Sequence, residues 1–234
     1  MTISIIIPTY NEAENIEKLI SYLIVNSNKS VVDFIVSDAG SNDNTIGIAK
    51  KAGANAVLSP IKGRAAQINY GAGIAKGDIL YFIHADCFPP KDFVENIEAA
   101  VNSGYGLGRY RTRFDSDKIM LKINAWFTRF DLSVCMGGDQ TLFIKRSLFE
   151  ECKGFSEDMK IMEEFEFCNR ARQLGRYKIF KGEALVSARK YDTNSWLQVQ
   201  LAHSKIFRMY DKGVSQQQML DTYKQMLTYR KNAF

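Results

Sequence analysis

Apolar and polar positions follow two rhythms along this chain. Residues 3–7 form a short run of isoleucines interrupted only by Ser4, the pattern of a buried strand, and from Ile16 the apolar positions recur at Leu19, Ile20 and Leu23, the spacing of one helix face. Asn11 with Glu14 three positions on predicts a capping box ahead of that helix. The alternation then repeats. It predicts a strand over 31–37, a polar loop over 38–44, a short helix, a weak strand near 56–58, a helix over 64–75 and a strand over 79–83. Strand and helix alternating without a hairpin signal predict an α/β fold, with a mainly parallel central sheet flanked by helices. In such sheets ligands gather at the carboxyl ends of the strands.

Beyond Gly104 the order changes. Arg109, Arg111 and Arg113 alternate, predicting a strand with one basic face. Apolar residues at 119, 120, 123, 126, 127 and 130 predict an amphipathic helix over 118–130, more in keeping with core packing than with a membrane surface. A strand over 140–145, a helix over 163–174 stopped by Gly175 and a strand over 177–186 follow. Two C-terminal helices break near Gly213.

Composition narrows the class without choosing a function. Hydrophobic residues at 46% and charged residues at 24% are ordinary globular values, so 234 residues are read as a single domain. Within it, 1–103 reads as a nucleotide-binding half, 104–190 as an acceptor half and 191–234 as a helical extension. Cys87, Cys135, Cys152 and Cys168 lie far apart with no C-x-x-C, arguing against a zinc knuckle or a disulfide scaffold. The first residues lack a basic segment and a long apolar run, so a cytoplasmic protein without a membrane span is expected. The net charge of +5 is mild and suits an anionic small substrate, nucleic acid or an acidic membrane surface equally.

The polar motifs fall at predicted strand ends. Pro8-Thr9-Tyr10-Asn11-Glu12 follows the first strand, Asp38-Ala39-Gly40-Ser41-Asn42-Asp43-Asn44-Thr45 the second, and His84-Ala85-Asp86 the fourth. On strand alternation, His84 and Asp86 share a face while Ala85 points away, offering two metal ligands. In these motifs the chain resembles glycosyltransferase family 2, which has the GT-A fold. Asp38, Gly40, Ser41, Asp43 and Thr45 match that family's second loop, with Ala39 in place of an aspartate.

The resemblance implies roles residue by residue. Pro8, Thr9, Tyr10, Glu12, Asp38, Arg64, Ala85 and Asp86 would hold a nucleotide-sugar donor, with Asp38 reading the base. Asp86 and His84 would hold a divalent cation, Mg²⁺ or Mn²⁺, imidazole being the poorer Mg²⁺ ligand. Glu164, in the run Glu163-Glu164-Phe165-Glu166, takes the position of the base that deprotonates an acceptor hydroxyl in inverting transfer. Asp139, Gln140, Glu163, Arg189 and Lys190 are candidates for acceptor or diphosphate contacts. His-Ala-Asp together with Gly138-Asp139-Gln140 is similar to a bacterial subgroup named for arsenosugar biosynthesis. A non-catalytic nucleotide-sugar binder and a nucleotidyltransferase are the rival classes. The Arg109, Arg111, Arg113 row is compatible with RNA, although a nucleic-acid partner is not expected, and peripheral membrane contact stays open.

Overall fold

The apolar run at the N-terminus becomes β1 (Ile3–Thr9), buried at every position. A computed structural model describes residues 1–132 and 140–228. The alternation that follows is α1 (Ile16–Val25), β2 (Val31–Asp38), α2 (Thr45–Lys51), β3 (Asn55–Leu58), α3 (Arg64–Ile74) and β4 (Ile79–Phe82). Then come β5 (Cys87–Phe88), α4 (Phe93–Asn102), β6 (Leu107–Phe114), α5 (Ile119–Phe127), β7 (Leu142–Lys145), α6 (Arg146–Glu151), α7 (Glu163–Ala171) and β8 (Tyr177–Val186). The helices α8 (Lys190–Thr193), α9 (Trp196–Asp211) and α10 (Gln216–Met226) follow.

One sheet in the order β3-β2-β1-β4-β7-β6-β8-β5 runs through both halves. Its first four strands are parallel, β7 runs antiparallel to β4 and β6, and β8 returns parallel to β6. Helices cover both faces. Ile16, Leu19, Ile20 and Leu23 of α1 pack with Ile97 of α4 against Ile5, Ile7 and Tyr81 on one side. Ile68 of α3 and Phe167 of α7 pack with Ile6, Leu80 and Ile144 on the other. Burying each such aliphatic side chain contributes roughly 1.5–3 kcal/mol, so the apolar spacing read from the sequence is what holds the strand ends in place. A third cluster joins Leu121 of α5 to Val199 and Ala202 of α9.

Several expectations change. The capping box is absent: α1 starts at Ile16, and Asn11, at φ +55°, instead ties its loop to Ser41 and Asn42. The basic row on β6 is not evenly exposed: Arg109 is 3% exposed, Arg111 half-buried and Arg113 exposed, where it lies 4.0 Å from Glu183 of β8. Helix α7 ends at Ala171 and a turn over 172–174 leads to Gly175, whose N–H donates to the Ala171 carbonyl at 3.0 Å and where a Cβ would lie 2.5 Å from Leu148 Cδ2. In α5 only Leu121 is buried; the predicted core positions 119, 120, 123, 126 and 127 face outward.

Candidate functional site

Because β1 and β2 are parallel neighbours, with Thr9 opposite Asp38, the loops that follow them lie side by side. Asp38 has no exposed surface, and its carboxylate organises this corner. Oδ2 accepts from Thr9 Oγ1 at 2.8 Å and Ser41 Oγ at 2.6 Å, while Oδ1 accepts from the backbone N–H groups of Gly40 at 2.9 Å and Ser41 at 2.7 Å. The turn needs Gly40 at φ +85°, a conformation glycine adopts without a Cβ clash. A carboxylate offers about four lone-pair positions, and all are used here. The carboxylate expected to read the base thus also organises the loop that carries it. Gln67, at the start of α3, completes the corner by donating to the carbonyls of Thr9 at 2.7 Å and Ser37 at 2.8 Å.

The third strand-end motif does not lie on a strand. β4 stops at Phe82, and 85–86 form a turn closed by Cys87 N–H donating to the His84 carbonyl at 3.0 Å. Strand alternation thus ceases before the motif, and its two side chains take different partners. Asp86 meets Arg189, whose Nε lies 2.9 Å from Oδ2. The pairing of β5 with β8 explains the meeting: Cys87 opposes Val186, and Ser187 N–H donates to the Asp86 carbonyl, which delivers the residue just past β8 to the turn. Arg189 also grips Glu12 through both Nη atoms. One guanidinium therefore bridges a carboxylate after β1 and a carboxylate after β4. Lys190 follows as the first residue of α8, and Tyr10 stays half-buried beside Glu12.

His84 turns the other way, and its Nε2 lies 2.8 Å from Glu164 Oε1. Helix α7 supplies Glu164 in its first turn, where the positive end of the helix dipole favours acidic groups. Glu164 is 16% exposed; burial pushes its carboxyl above the usual range while the neighbouring His84 pulls it back. Glu163 is buried and receives Arg64 Nη1 at 3.2 Å, and Glu166 pairs with Arg170 on the same helix, so the three acids have separate partners. Pro8, His84, Arg109, Gln140, Glu164 and Tyr177 line a narrow cleft, its cavity volume only about 30 Å³. Deep in it, Arg109 donates to the carbonyls of Thr128 at 2.8 Å and Phe130 at 3.3 Å and lies beside the buried Tyr177 hydroxyl. Cys168 borders the same cleft, but burial pushes its thiol up to about 12, which leaves it protonated and inert.

The structure thus gathers Pro8, His84, Gln140 and Glu164 at the cleft, and Glu12, Asp86 and Arg189 at a neighbouring ion cluster. Ala85 is buried between the two. Asp139 lies outside the described residues. Tyr177 and Gln67 are additions that the sequence did not single out, marked only by the conjunction of polar type and burial, and Arg109, read from the sequence as part of a basic row, is placed in the cleft instead. Among the described residues no group of three or more His, Cys, Asp or Glu side chains could hold a metal ion unaided. Asp86 is a hard oxygen donor of the kind Mg²⁺ and Mn²⁺ prefer, and such ions commonly use one or two carboxylates with substrate phosphates completing the shell. His84, committed to Glu164, is a weaker candidate than its motif position implies.

Comparison with known proteins fits this geometry. The sequence profile of glycosyl transferase family 2 matches residues 4–180, and the chain belongs to that family. It is 33% identical over 112 residues to the glycosyltransferase AglE of Haloferax volcanii, a match covering 45% of this chain and 36% of AglE. An uncharacterized glycosyltransferase of Mycobacterium tuberculosis is 26% identical over 180 residues, covering 73% of this chain and 68% of that protein. Among solved structures, glucosyl-3-phosphoglycerate synthase from M. tuberculosis, crystallised with Mn²⁺, UDP and glucosyl-3-phosphoglycerate, superimposes with a TM-score of 0.64 at 19% identity, covering 91% of this chain and 80% of that one. S. aureus TarS with UDP-GlcNAc has a TM-score of 0.64 at 18% identity, covering 81% of this chain and 59% of that one. The fold is GT-A. This chain corresponds to about a third of AglE and somewhat over half of the TarS fragment.

Proposed function

We propose that the protein transfers a sugar, with inversion, from a UDP-sugar to a hydroxyl acceptor, and that Glu164 is the base. The observation that carries this reading is the His84–Glu164 contact, at 2.8 Å, on the wall of a cleft that opens beside the Glu12–Arg189–Asp86 cluster. The UDP and UDP-GlcNAc complexes of fold neighbours support the donor class, and the His84-Ala85-Asp86 motif keeps the subgroup resemblance within it.

The chain's own residues divide the work. The loops after β1 and β2, braced by Asp38 and Gln67, form the bed for the nucleotide. Arg189 is placed to turn from Glu12 and Asp86 towards the donor's diphosphate, relieving the charge that develops on the leaving group. A divalent ion, held by Asp86 and phosphate oxygens, would supply further neutralisation of that leaving group. His84 positions Glu164 by fixing one carboxylate oxygen, which leaves the other for the acceptor. Glu164 takes the hydroxyl proton as the acceptor oxygen bonds to the anomeric carbon, and the opposite carbon–oxygen bond breaks with its electron pair on the diphosphate.

The test is product analysis with a panel of UDP-sugars and hydroxyl acceptors. Release of UDP with a new glycoside of inverted configuration is expected. In a parallel assay with UTP and sugar phosphates, release of inorganic diphosphate would assign the protein to nucleotidyl transfer, and donor binding without any turnover in either assay would leave a binding protein.

A further inference from the structure

The helices α9 and α10 lie beyond residues 4–180, the part of the chain that matches the family, yet they reach back to the helix that carries Glu164. From α10, the Gln216 side-chain oxygen accepts two consecutive backbone N–H groups, Lys160 at 3.0 Å and Ile161 at 3.2 Å. Its neighbour Gln217 accepts from Lys160 Nζ at 2.6 Å. From α9, Phe207 and Tyr210 meet the Phe165 ring edge-on, with centroids 5.1 and 5.5 Å away, and Phe165 lines the cleft beside Glu164. The C-terminal helices thus bracket Glu163 and Glu164.

Met162 stands between the pinned N–H groups and α7, at φ +68°, a left-handed conformation that a side chain with a Cβ disfavours. Its carbonyl accepts the Glu166 N–H at 3.0 Å, so this residue sets the direction in which α7 leaves its loop. A residue other than glycine stays in such a conformation only where its surroundings over-determine it. Gln216 supplies that constraint before Met162, and the rings around Phe165 supply it after. Further along α7, Phe167 is anchored in the core, so any loosening is confined to the first turn, where Glu164 meets His84 at 2.8 Å. Displacing a catalytic group by about 1 Å can cost about 10²-fold in rate. We propose that Gln216 is a positioning residue: by pinning the 160–162 turn it holds Glu164 against His84 and aims it at the acceptor. The role in turnover rests on reading Glu164 as the base of glycosyl transfer.

Point variants of the full chain test this. Gln216→Ala should lower kcat about tenfold, with donor KM and the thermal shift with UDP as in the parent. Gln216→Glu, whose carboxylate still accepts from the two N–H groups, should recover most of the loss. Adding Met162→Gly to Gln216→Ala should recover part of it, because glycine holds a positive φ without outside constraint. The two histidines of the chain, His84 and His203, give a reading that does not depend on turnover. In NMR spectra at fixed pH, Gln216→Ala should shift the His84 imidazole resonances and leave those of His203, stacked on Tyr223 of α10, in place. An unmoved His84 signal, or a kcat loss that neither the glutamate nor the glycine recovers, would overturn the proposal. So would movement of both histidines, which would mark a general loosening of the C-terminal helices. Absence of transfer by the parent would count against the functional reading, while the His84 response would still decide whether Gln216 sets the His84–Glu164 contact.

Discussion

The two sides of the cleft are built on opposite principles. At the carboxyl ends of β1, β2 and β4 the loop groups are engaged with one another: Asp38 accepts four hydrogen bonds, Gln67 donates two, and Arg189 bridges Glu12 and Asp86. On the side of β6, α5 and α7 the buried Arg109 holds backbone carbonyls at the end of α5, and apolar side chains stand in water along that helix. Saturation makes a rigid bed that a ligand meets without reorganising it, which limits the cost of binding. Exposed apolar surface stores the opposite: free energy that becomes available only when something else covers it. The comparison teaches that the first side is built to hold a ligand the protein meets often, and the second is completed by what it acts on.

The sharpest break in that comparison is expected at Glu164, where the two sides meet. Glu164→Gln should lower turnover by roughly 10²- to 10⁴-fold, the usual contribution of a general base, while UDP affinity stays nearly unchanged. Glu163→Gln is the control, because Glu163 is engaged by Arg64. If turnover survives in the first variant and collapses in the second, the base moves by one residue.

Arg189 tests the saturated side. Arg189→Met leaves Glu12 and Asp86 without their shared cation, and a diphosphate would lose its contact as well. Measured in EDTA by calorimetry, UDP binding should weaken about 10- to 100-fold, the range for a charge-assisted contact worth roughly 1.5–3 kcal/mol. Uridine monophosphate should lose less. Equal affinities in parent and variant would confine Arg189 to tying the loops together.

His84 sharpens the boundary between positioning and metal binding. His84→Ala should reduce kcat about tenfold, at the low end of what misplacing a general base costs, with little change in donor KM. His84→Gln, whose amide can still donate to Glu164, should recover most of it. A metal ligand would behave differently, with apparent Mn²⁺ affinity falling in both variants and no rescue by glutamine.

How much of this was legible follows from how far apart in sequence the partners lie. The parallel half reads directly from residues 3–7, 31–37 and 79–83, because continuous apolar runs become buried strands and their polar loops must emerge at one end. The Pro8–Glu12 and Asp38–Thr45 stretches are local, so their placement could be read from strand direction alone. The ion cluster could not: Glu12 and Arg189 are 177 residues apart, and only the β5–β8 pairing brings them together. Likewise the His84–Glu164 contact spans 80 residues, and its motif position pointed towards a metal. In α5 the periodicity revealed an apolar stripe but not its direction. A stripe is equally consistent with core and with interface until Leu121 alone is seen to turn inward.

The smallest expected effect concerns Asp43, on the saturated side, and it is read in stability. Thr45 donates to Asp43 through both its hydroxyl and its backbone N–H, the latter at 3.1 Å, and Ala13 N–H donates at 3.2 Å. Burial alone would raise the carboxyl's pKa, but these hydrogen bonds together prevail and hold it below the ordinary aspartate value. The folded protein thus binds that proton less readily than the unfolded chain does. The resulting stability is fully present above the unfolded value near 4, and it is lost as pH falls through that value towards the lower folded one. Asp43→Asn removes a titrating group from the loop. Its thermal midpoint should lie below the parent's at neutral pH, and the difference should narrow as pH falls below about 4. Asp43 is exposed, so solvent screens the charge and the whole effect should be small. A difference that stays constant with pH would mean that Asp43 braces the loop by shape and neutral hydrogen bonding, with its charge contributing nothing.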